Sequence, residues 1–258
     1  MIKLKNTDVY GFEAAIRGMR NPWNSWEKSD SFQCNGMDCY FEDCPQYIRP
    51  IEWRSEGGCS TEGEYVIGKN DLALMKKLVS AGTDHSKFMR MINVTVDITA
   101  PLYWWKEMDT YKVGTVRNSC STMHTITDKD FTLADFSREH LCTSDVQYYQ
   151  VNDTEEDEVI DLSTSALEIL RVTIQALNAY RKLYLKTNNE KFWRQIIQLL
   201  PSSYNQRATV QLNYAVLRNM YHSRKNHRLD EWHDFCRWIE TLPYSELITG
   251  GNADEMQP

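Results

Sequence analysis

Between His85 and His124 the chain gathers two histidines, several lysines, Glu107, a run of hydroxyl side chains and Cys120 around the aromatic pair Trp104-Trp105. Such a mixture suits a pocket with a polar floor and aromatic walls, although aromatics at element junctions are more often core. The sharpest residue is Cys120, within Asn118-Ser-Cys-Ser-Thr122. Beside a cation its thiol could act as a nucleophile, and without one it is a small hydrophobe that fills space. A second group of interest is Arg224, Lys225, His227 and Arg228. These cations could hold an anionic ligand, or could simply complement the C-terminal end of a helix dipole. Cys34, Cys39, Cys44 and Cys59 invite a zinc site, but no Cys-x2-Cys pair occurs, and we expect no metal.

Other chemistries are excluded by what is missing. There is no phosphate-binding Gly-x4-Gly-Lys loop, no His-Glu-x-x-His and no Gly-x-Gly-x-x-Gly. A formal net charge of -7 argues against general nucleic-acid binding, which needs a basic surface. No apolar run is long enough to cross a membrane, and Met1-Ile-Lys-Leu-Lys-Asn lacks the apolar core of an export signal. Seven cysteines, an odd number, suit a reducing compartment, so the expected location is the cytoplasm.

The elements that would position these residues can be read from periodicity. A helix is expected around Val9 to Met19, broken by Asn21-Pro-Trp-Asn, followed by an irregular cysteine-bearing insertion at about 31–66. Asn70 and Asp71 offer an N-cap for a helix over 72–80, with Leu72, Met75, Leu78 and Val79 on one face and Gly82 as its stop. Val94, Val96 and Ile98 alternate with polar residues as in a half-buried strand over 91–98, and a helix is expected to begin near Leu102. The acidic run 153–158 reads as a solvated connection. Ser165 and Glu168 form a capping box for a long helix carrying Leu167, Leu170, Ile174 and Leu177. Further on, a helix over 191–199 precedes Pro201, a strand over 208–212 leads into a helix ending at Arg224, and a last amphipathic helix spans about 229–241. The sum is one α+β domain covering 1–258.

On two stretches the sequence resembles the flavin-dependent thymidylate synthases. The first runs from Asp71 through Gly82, His85, a strand and Ala100-Pro101-Leu102, and its register leads to Thr110-Tyr111-Lys112, seven residues, then Cys120 and Ser121. That family carries Arg-His-Arg, seven or eight residues, then Ser at this place, so the signature is altered at nearly every position. In the second stretch Leu200-Pro201, Asn213, Asn219 and Arg224 keep the spacing of the family's Leu-Pro pair, its two flavin-facing asparagines and its nucleotide-binding arginine. Residues 36–65 have no counterpart.

The resemblance implies a thymidylate synthase-complementing-protein-like α+β fold, a mixed sheet flanked by long helices, assembled as a homotetramer. It implies transfer of a one-carbon unit from methylenetetrahydrofolate to carbon 5 of dUMP or a related pyrimidine nucleotide, with FAD as cofactor and NADPH as electron donor. By register, His85, Lys106, Tyr111, Lys112, Asn213 and Asn219 would meet the flavin. Glu107, Asn118, Ser119, Cys120, Ser121, Thr122 and Arg224 would line the nucleotide, with Cys120 and Ser121 in the catalytic position. Three family arginines are replaced, by Thr110, Ala215 and Ile197, and each lost charge-assisted bond is worth about 1.5–3 kcal/mol. Lys106, Lys112, Arg117 and Arg194 lie near enough in sequence to compensate in part, although lysine lacks the planar fork. The alternative is a paralogue that has lost catalysis and serves as a nucleotide-binding or interaction protein.

Overall fold

The computed structural model describes residues 2–34, 65–144, 146–150, 159–162 and 164–250. In chain order the elements are β1 (Lys3–Tyr10), α1 (Phe12–Arg20), β2 (Phe32–Gln33), β3 (Tyr65–Val66), α2 (Lys69–Ser80), β4 (Asn93–Pro101), α3 (Leu102–Met108), β5 (Val116–Ser119) and α4 (Thr122–Thr125). Then come β6 (Val146–Gln150), β7 (Val159–Leu162), α5 (Ala166–Thr187), α6 (Glu190–Leu199), β8 (Asn205–Asn213), α7 (Tyr214–Arg224), α8 (Asp230–Glu240) and α9 (Glu246–Thr249). Helices thus combine with a four-stranded sheet in the order β1-β4-β8-β5 and two antiparallel pairs, β2-β3 and β6-β7. This is the α+β class expected from the sequence. The chain divides into two compact units. The first comprises Met1–Lys3, Asp97–Thr110 and Asn118–Thr209; the second comprises Leu4–Val96, Tyr111–Arg117 and Val210–Pro258.

Within the first unit, α5 and α6 bury Leu170, Ile174, Leu177 and Ile196 together with Ile126, Phe131 and Phe136. The Ser165 hydroxyl caps α5 by accepting from the Glu168 amide, which is one half of the expected capping box. Asn178, on α5, brackets Phe131 in the manner of a neighbouring strand, accepting from its N–H at 2.8 Å and donating to its carbonyl at 2.9 Å. The Asn189 side chain caps α6, a signal that the apolar pattern alone does not give. After Pro101 the chain turns directly into α3, whose first amides donate to the Tyr204 and Ser202 carbonyls. Trp104 and Trp105 are core, the usual place of aromatics at an element junction: both are buried, edge to face at 5.0 Å. Large aromatics gain most where all their surface leaves water, which is why an element junction holds them inside.

Two readings of the second unit need correction. Strand β1 runs on through Val9 and Tyr10, where a helix was expected to open. Its sequence alternates poorly, since only Leu4 and Val9 are half-buried and Asn6 adopts a left-handed φ of 52°. The helix begins after Gly11, whose φ is 97° and whose place a Cβ would bring to 2.1 Å from the Met91 carbonyl oxygen, so only glycine fits there. Nor do Asn70 and Asp71 cap α2: the helix starts at Lys69. The cap comes from across the fold, where the Asp30 carboxylate accepts from the Asn70 and Asp71 amides at 2.8 and 3.0 Å.

Asp71 has a different task. Its carboxylate is fully buried and pairs with buried Arg20 at 2.6 Å. It also accepts from the Ser29 and Ser31 hydroxyls at 2.6 Å each and from the Asp30 amide at 3.2 Å. The Arg20 guanidinium reaches on to the Ser25 and Lys28 carbonyls. This clasp fixes the segment 29–33 against α2 and so holds β2 in register with β3, Phe32 opposite Val66 and Gln33 opposite Tyr65. The two ends of the cysteine-bearing insertion meet at that pair. Cys39, Cys44 and Cys59, like the acidic run 153–158, lie outside the described residues, while Cys34 is buried.

Burial would raise the Asp71 pKa, but the hydrogen bonds from Ser29, Ser31 and Arg20 and the Arg20 charge outweigh it and hold the carboxyl below its ordinary value of 3.8. A depressed carboxylate adds stability that is complete above the unfolded-state pKa and is lost as pH falls through the folded one. Asp71→Ala therefore should lower stability at pH 7 by about 3–5 kcal/mol, since it leaves Arg20 buried without its partner. The deficit in urea midpoint should shrink below pH 3.8. An unchanged midpoint at pH 7 would show that the clasp does not hold the fold.

Candidate functional site

Two constellations of the expected site residues are assembled, one in each unit. In the second unit the centre is Arg224, the last residue of α7. Spacings of three and four place it on the same stripe as Leu217 and Met220, both fully buried, so it continues the core-facing side of the helix. A solvated helix end would put it on the opposite face, where Asn219 is exposed. The Arg224 Nε donates to the Tyr111 hydroxyl at 2.8 Å. Its guanidinium carbon lies 5.5 Å from the centre of the Tyr111 ring and 4.8 Å from that of Trp232. Trp232 is itself fully buried on α8, edge-on to Phe235 at 5.6 Å, with His227 at 6.3 Å on its other side.

Next to this cluster, Asn213 ends β8 and caps α7, its side-chain oxygen accepting from the Val216 amide at 3.0 Å. The turn after Lys112 lies over that cap. Gly114 has a φ of 78°, and a Cβ there would stand 3.0 Å from both the Asn213 amide nitrogen and a Val216 methyl. Two residues expected to face the flavin thus have structural tasks inside the unit: the Tyr111 hydroxyl engages Arg224, and Asn213 starts a helix. Lys112 and Asn219 are exposed. His85 is also exposed, in the turn closed by its own amide on the Gly82 carbonyl, with no hydrogen bond among the described residues to Tyr111, Asn213 or Arg224.

In the first unit the loop that follows β5 is pinned at Cys120. The Cys120 amide donates to the Arg207 carbonyl at 2.9 Å, and the Gln206 side-chain amide donates to the Cys120 carbonyl at 2.8 Å. The Cys120 amide is therefore already used by β8. The thiol itself is exposed. Ser121 precedes the short helix α4, its carbonyl accepting from the His124 and Thr125 amides. Asn118 and Ser119 are exposed on β5, and Thr122 is half-buried. Burial, then the Asp135 carboxylate, pushes the Tyr204 phenol up, and the Lys129 charge partly opposes them. Lys106 is exposed and Glu107 half-buried on α3, where the Glu107 carbonyl accepts from the Thr110 hydroxyl at 2.7 Å. Ile197 packs against the core of this unit, which explains an apolar residue at that place. Arg194 is exposed and pairs loosely with Glu190 at 3.6 Å.

Gln206, Gly114 and Trp232 are absent from the sequence-based set of site residues. Trp232 carried a signal, since it opens the stripe Trp232, Phe235, Cys236, Ile239 of α8, but that pattern speaks only of core. Gln206 carried none: a polar residue on a strand gives no sign of which loop it meets. A cavity of about 1210 Å³ also opens in the second unit, lined among others by Tyr10, Phe12, Glu13, Tyr65, Trp238 and Tyr244. None of the expected site residues borders it. Among the described residues no group of three His, Cys, Asp or Glu side chains converges as a metal would need, and no helix is long and apolar enough to cross a membrane.

Comparison with solved structures shows what fold this arrangement belongs to. The chain is similar over 96% of its length to thymidylate synthase X from Helicobacter pylori, solved with FAD and dUMP, at 14% identity, 97% coverage of that chain and a TM-score of 0.57. A second structure of the flavin-dependent enzyme from Helicobacter pylori, complexed with FAD and dUMP, matches at 14% identity, 96% of each chain and a TM-score of 0.56. The chain has the fold of the flavin-dependent thymidylate synthases. A UMP/dUMP methylase from Streptomyces cacaoi, bound with 5-Br dUMP, lies further off, at 11% identity and a TM-score of 0.48 over 93% of this chain and 89% of that one. No family model and no curated protein matches the sequence.

The thiols offer a direct check of the first-unit loop. Burial, then the Glu240 charge, pushes Cys236 up to about 11, so it should resist alkylation at neutral pH. Peptide-level mass spectrometry of native protein treated with iodoacetamide should find Cys120 and Cys142 labelled well before Cys236. Equal rates would contradict an exposed Cys120.

Proposed function

We propose that the protein is a flavin-dependent enzyme that transfers a one-carbon unit from methylenetetrahydrofolate to carbon 5 of dUMP or a related pyrimidine nucleotide. The observation that carries this reading is Arg224: within a fold of the right class, an arginine at the end of a core-facing stripe is held by Tyr111 and Trp232. A planar fork so held suits a phosphate monoester, to which arginine binds bidentately. In this reading Glu107 and the loop Asn118, Ser119, Cys120, Ser121 and Thr122 line the pyrimidine, with Cys120 and Ser121 as the reacting side chains. Active sites are completed in a homotetramer working in the cytoplasm.

FAD asks for cations at its phosphates and for hydrogen-bonding groups at its ring edges. Exposed His85, Lys106, Lys112 and Asn219 supply the cations and hydrogen-bond donors that a dinucleotide's two phosphates and ring edges take, and they fit the group. Tyr111 and Asn213 fit less well, because each has a polar atom already engaged. When bound, the reduced flavin supplies the electron pair that turns a methylene carbon into a methyl, and NADPH restores it. The chain's own residues do the rest: Arg224 fixes the phosphate, and the pinned backbone of Cys120 sets the loop at the pyrimidine. The engaged Tyr111 and Asn213 give some support to a second reading, a nucleotide-binding paralogue without turnover.

Absorbance separates the two. Protein that takes up added FAD and forms dTMP from dUMP, methylenetetrahydrofolate and NADPH supports the enzyme, whereas protein that binds dUMP but neither takes up FAD nor turns over supports the paralogue. Arg224→Ala should weaken dUMP binding roughly 10- to 100-fold, the value of a charge-assisted pair. Cys120→Ser should abolish turnover while leaving dUMP binding intact. Full turnover by that variant would make the thiol a lining residue only.

A further inference from the structure

One cation of the second unit, Arg224, lies against two aromatic rings. Arginine has a long side chain that forfeits rotamer freedom when fixed, so an unsupported arginine binds phosphate at an entropic disadvantage. Arg224 is not unsupported. Trp232 approaches the guanidinium at 4.8 Å and Tyr111 at 5.5 Å, and the two rings meet each other at 6.2 Å with an interplanar angle of 63°. The hydrogen bond from Nε to the Tyr111 hydroxyl fixes rotation about the last torsions of the side chain. Trp232 is fully buried and meets the rings of both Phe235 and His227. Rings stabilise a cation electrostatically and stack on its plane, so they restrain its direction as well as its position.

A leucine at position 224 would extend the Leu217–Met220 stripe without the cost of desolvating a charge. The chain instead keeps a cation there and supplies two rings and a phenol to hold it. We propose that Tyr111 and Trp232 are positioning residues that pre-organise Arg224 for the phosphate monoester of the nucleotide; this rests on the reading of Arg224 given above. Tyr111 then acts through Arg224, and its part is set by its hydroxyl rather than by a ring stacked on the flavin.

The test compares dUMP with deoxyuridine, which lacks the phosphate, by calorimetric titration of the full chain. Tyr111→Phe removes one oxygen and keeps the ring, so the fold survives; Trp232→Phe is the second variant. Tyr111→Phe is expected to weaken dUMP binding 3- to 10-fold and to leave deoxyuridine binding unchanged. In an Arg224→Ala background the same substitution should have no further effect, which a merely structural role for the hydroxyl would not produce. Equal weakening of both ligands, or the same loss with and without Arg224, overturns the proposal. If Arg224→Ala weakens dUMP binding while Tyr111→Phe and Trp232→Phe do not, the phosphate assignment stands and this inference falls. If Arg224→Ala changes nothing, both fall.

Discussion

A carboxylate shut away from water has to find its solvation inside the protein, and Asp71 does so by drawing in Arg20, two serine hydroxyls and a backbone amide. The cost of leaving any of these groups unmatched is several kcal/mol, so the arrangement forms complete or is not tolerated. That constraint sets where the chain can go on either side. Residues 29–33 must lie along α2, Asp30 can then cap that helix, and β2 and β3 are brought opposite one another. The β2-β3 pair is thereby fixed against α2 within the second unit.

The same physical demand shapes the candidate phosphate site, with a different answer. Arg224 is half-buried at the end of a helix face that is otherwise apolar, and it is satisfied by rings and a phenol. Aromatic faces lower the cost of partial burial for a guanidinium without neutralising it, so the charge remains effective toward an anion. The adjoining Asn213 cap and the Gly114 turn are packed against one another, and Lys112 stays on the exposed side of that turn. In the first unit the corresponding economy is in the backbone: β8 holds the Cys120 loop by one carbonyl and one glutamine side chain, which leaves the thiol outward.

What the sequence determined by itself is whatever depends on neighbours along the chain. The alternation Val94, Val96, Ile98, the capping serine at 165, the stripe Leu170, Ile174, Leu177 and the stop at Gly82 are local patterns, and the structure keeps all of them. The strand β1 was not legible because its residues are mostly polar and Asn6 breaks the alternation, so its place in the sheet depends on β4 rather than on its own pattern. The spacing from Asn213 to Arg224 was legible too, and with it the idea of a nucleotide-binding helix.

Tertiary structure alone decided what those residues are for. Asp71 reads as a helix cap in one dimension and is a buried ion-pair centre in three, because its partners Arg20 and Ser31 lie 51 and 40 residues away. Tyr111 reads as a ring for stacking on a flavin, yet its hydroxyl meets Arg224 across 113 residues. Trp232 reads only as core. Periodicity reports which face of an element is apolar, while the partner of a charge or a hydroxyl is fixed by long-range packing that no local spacing encodes.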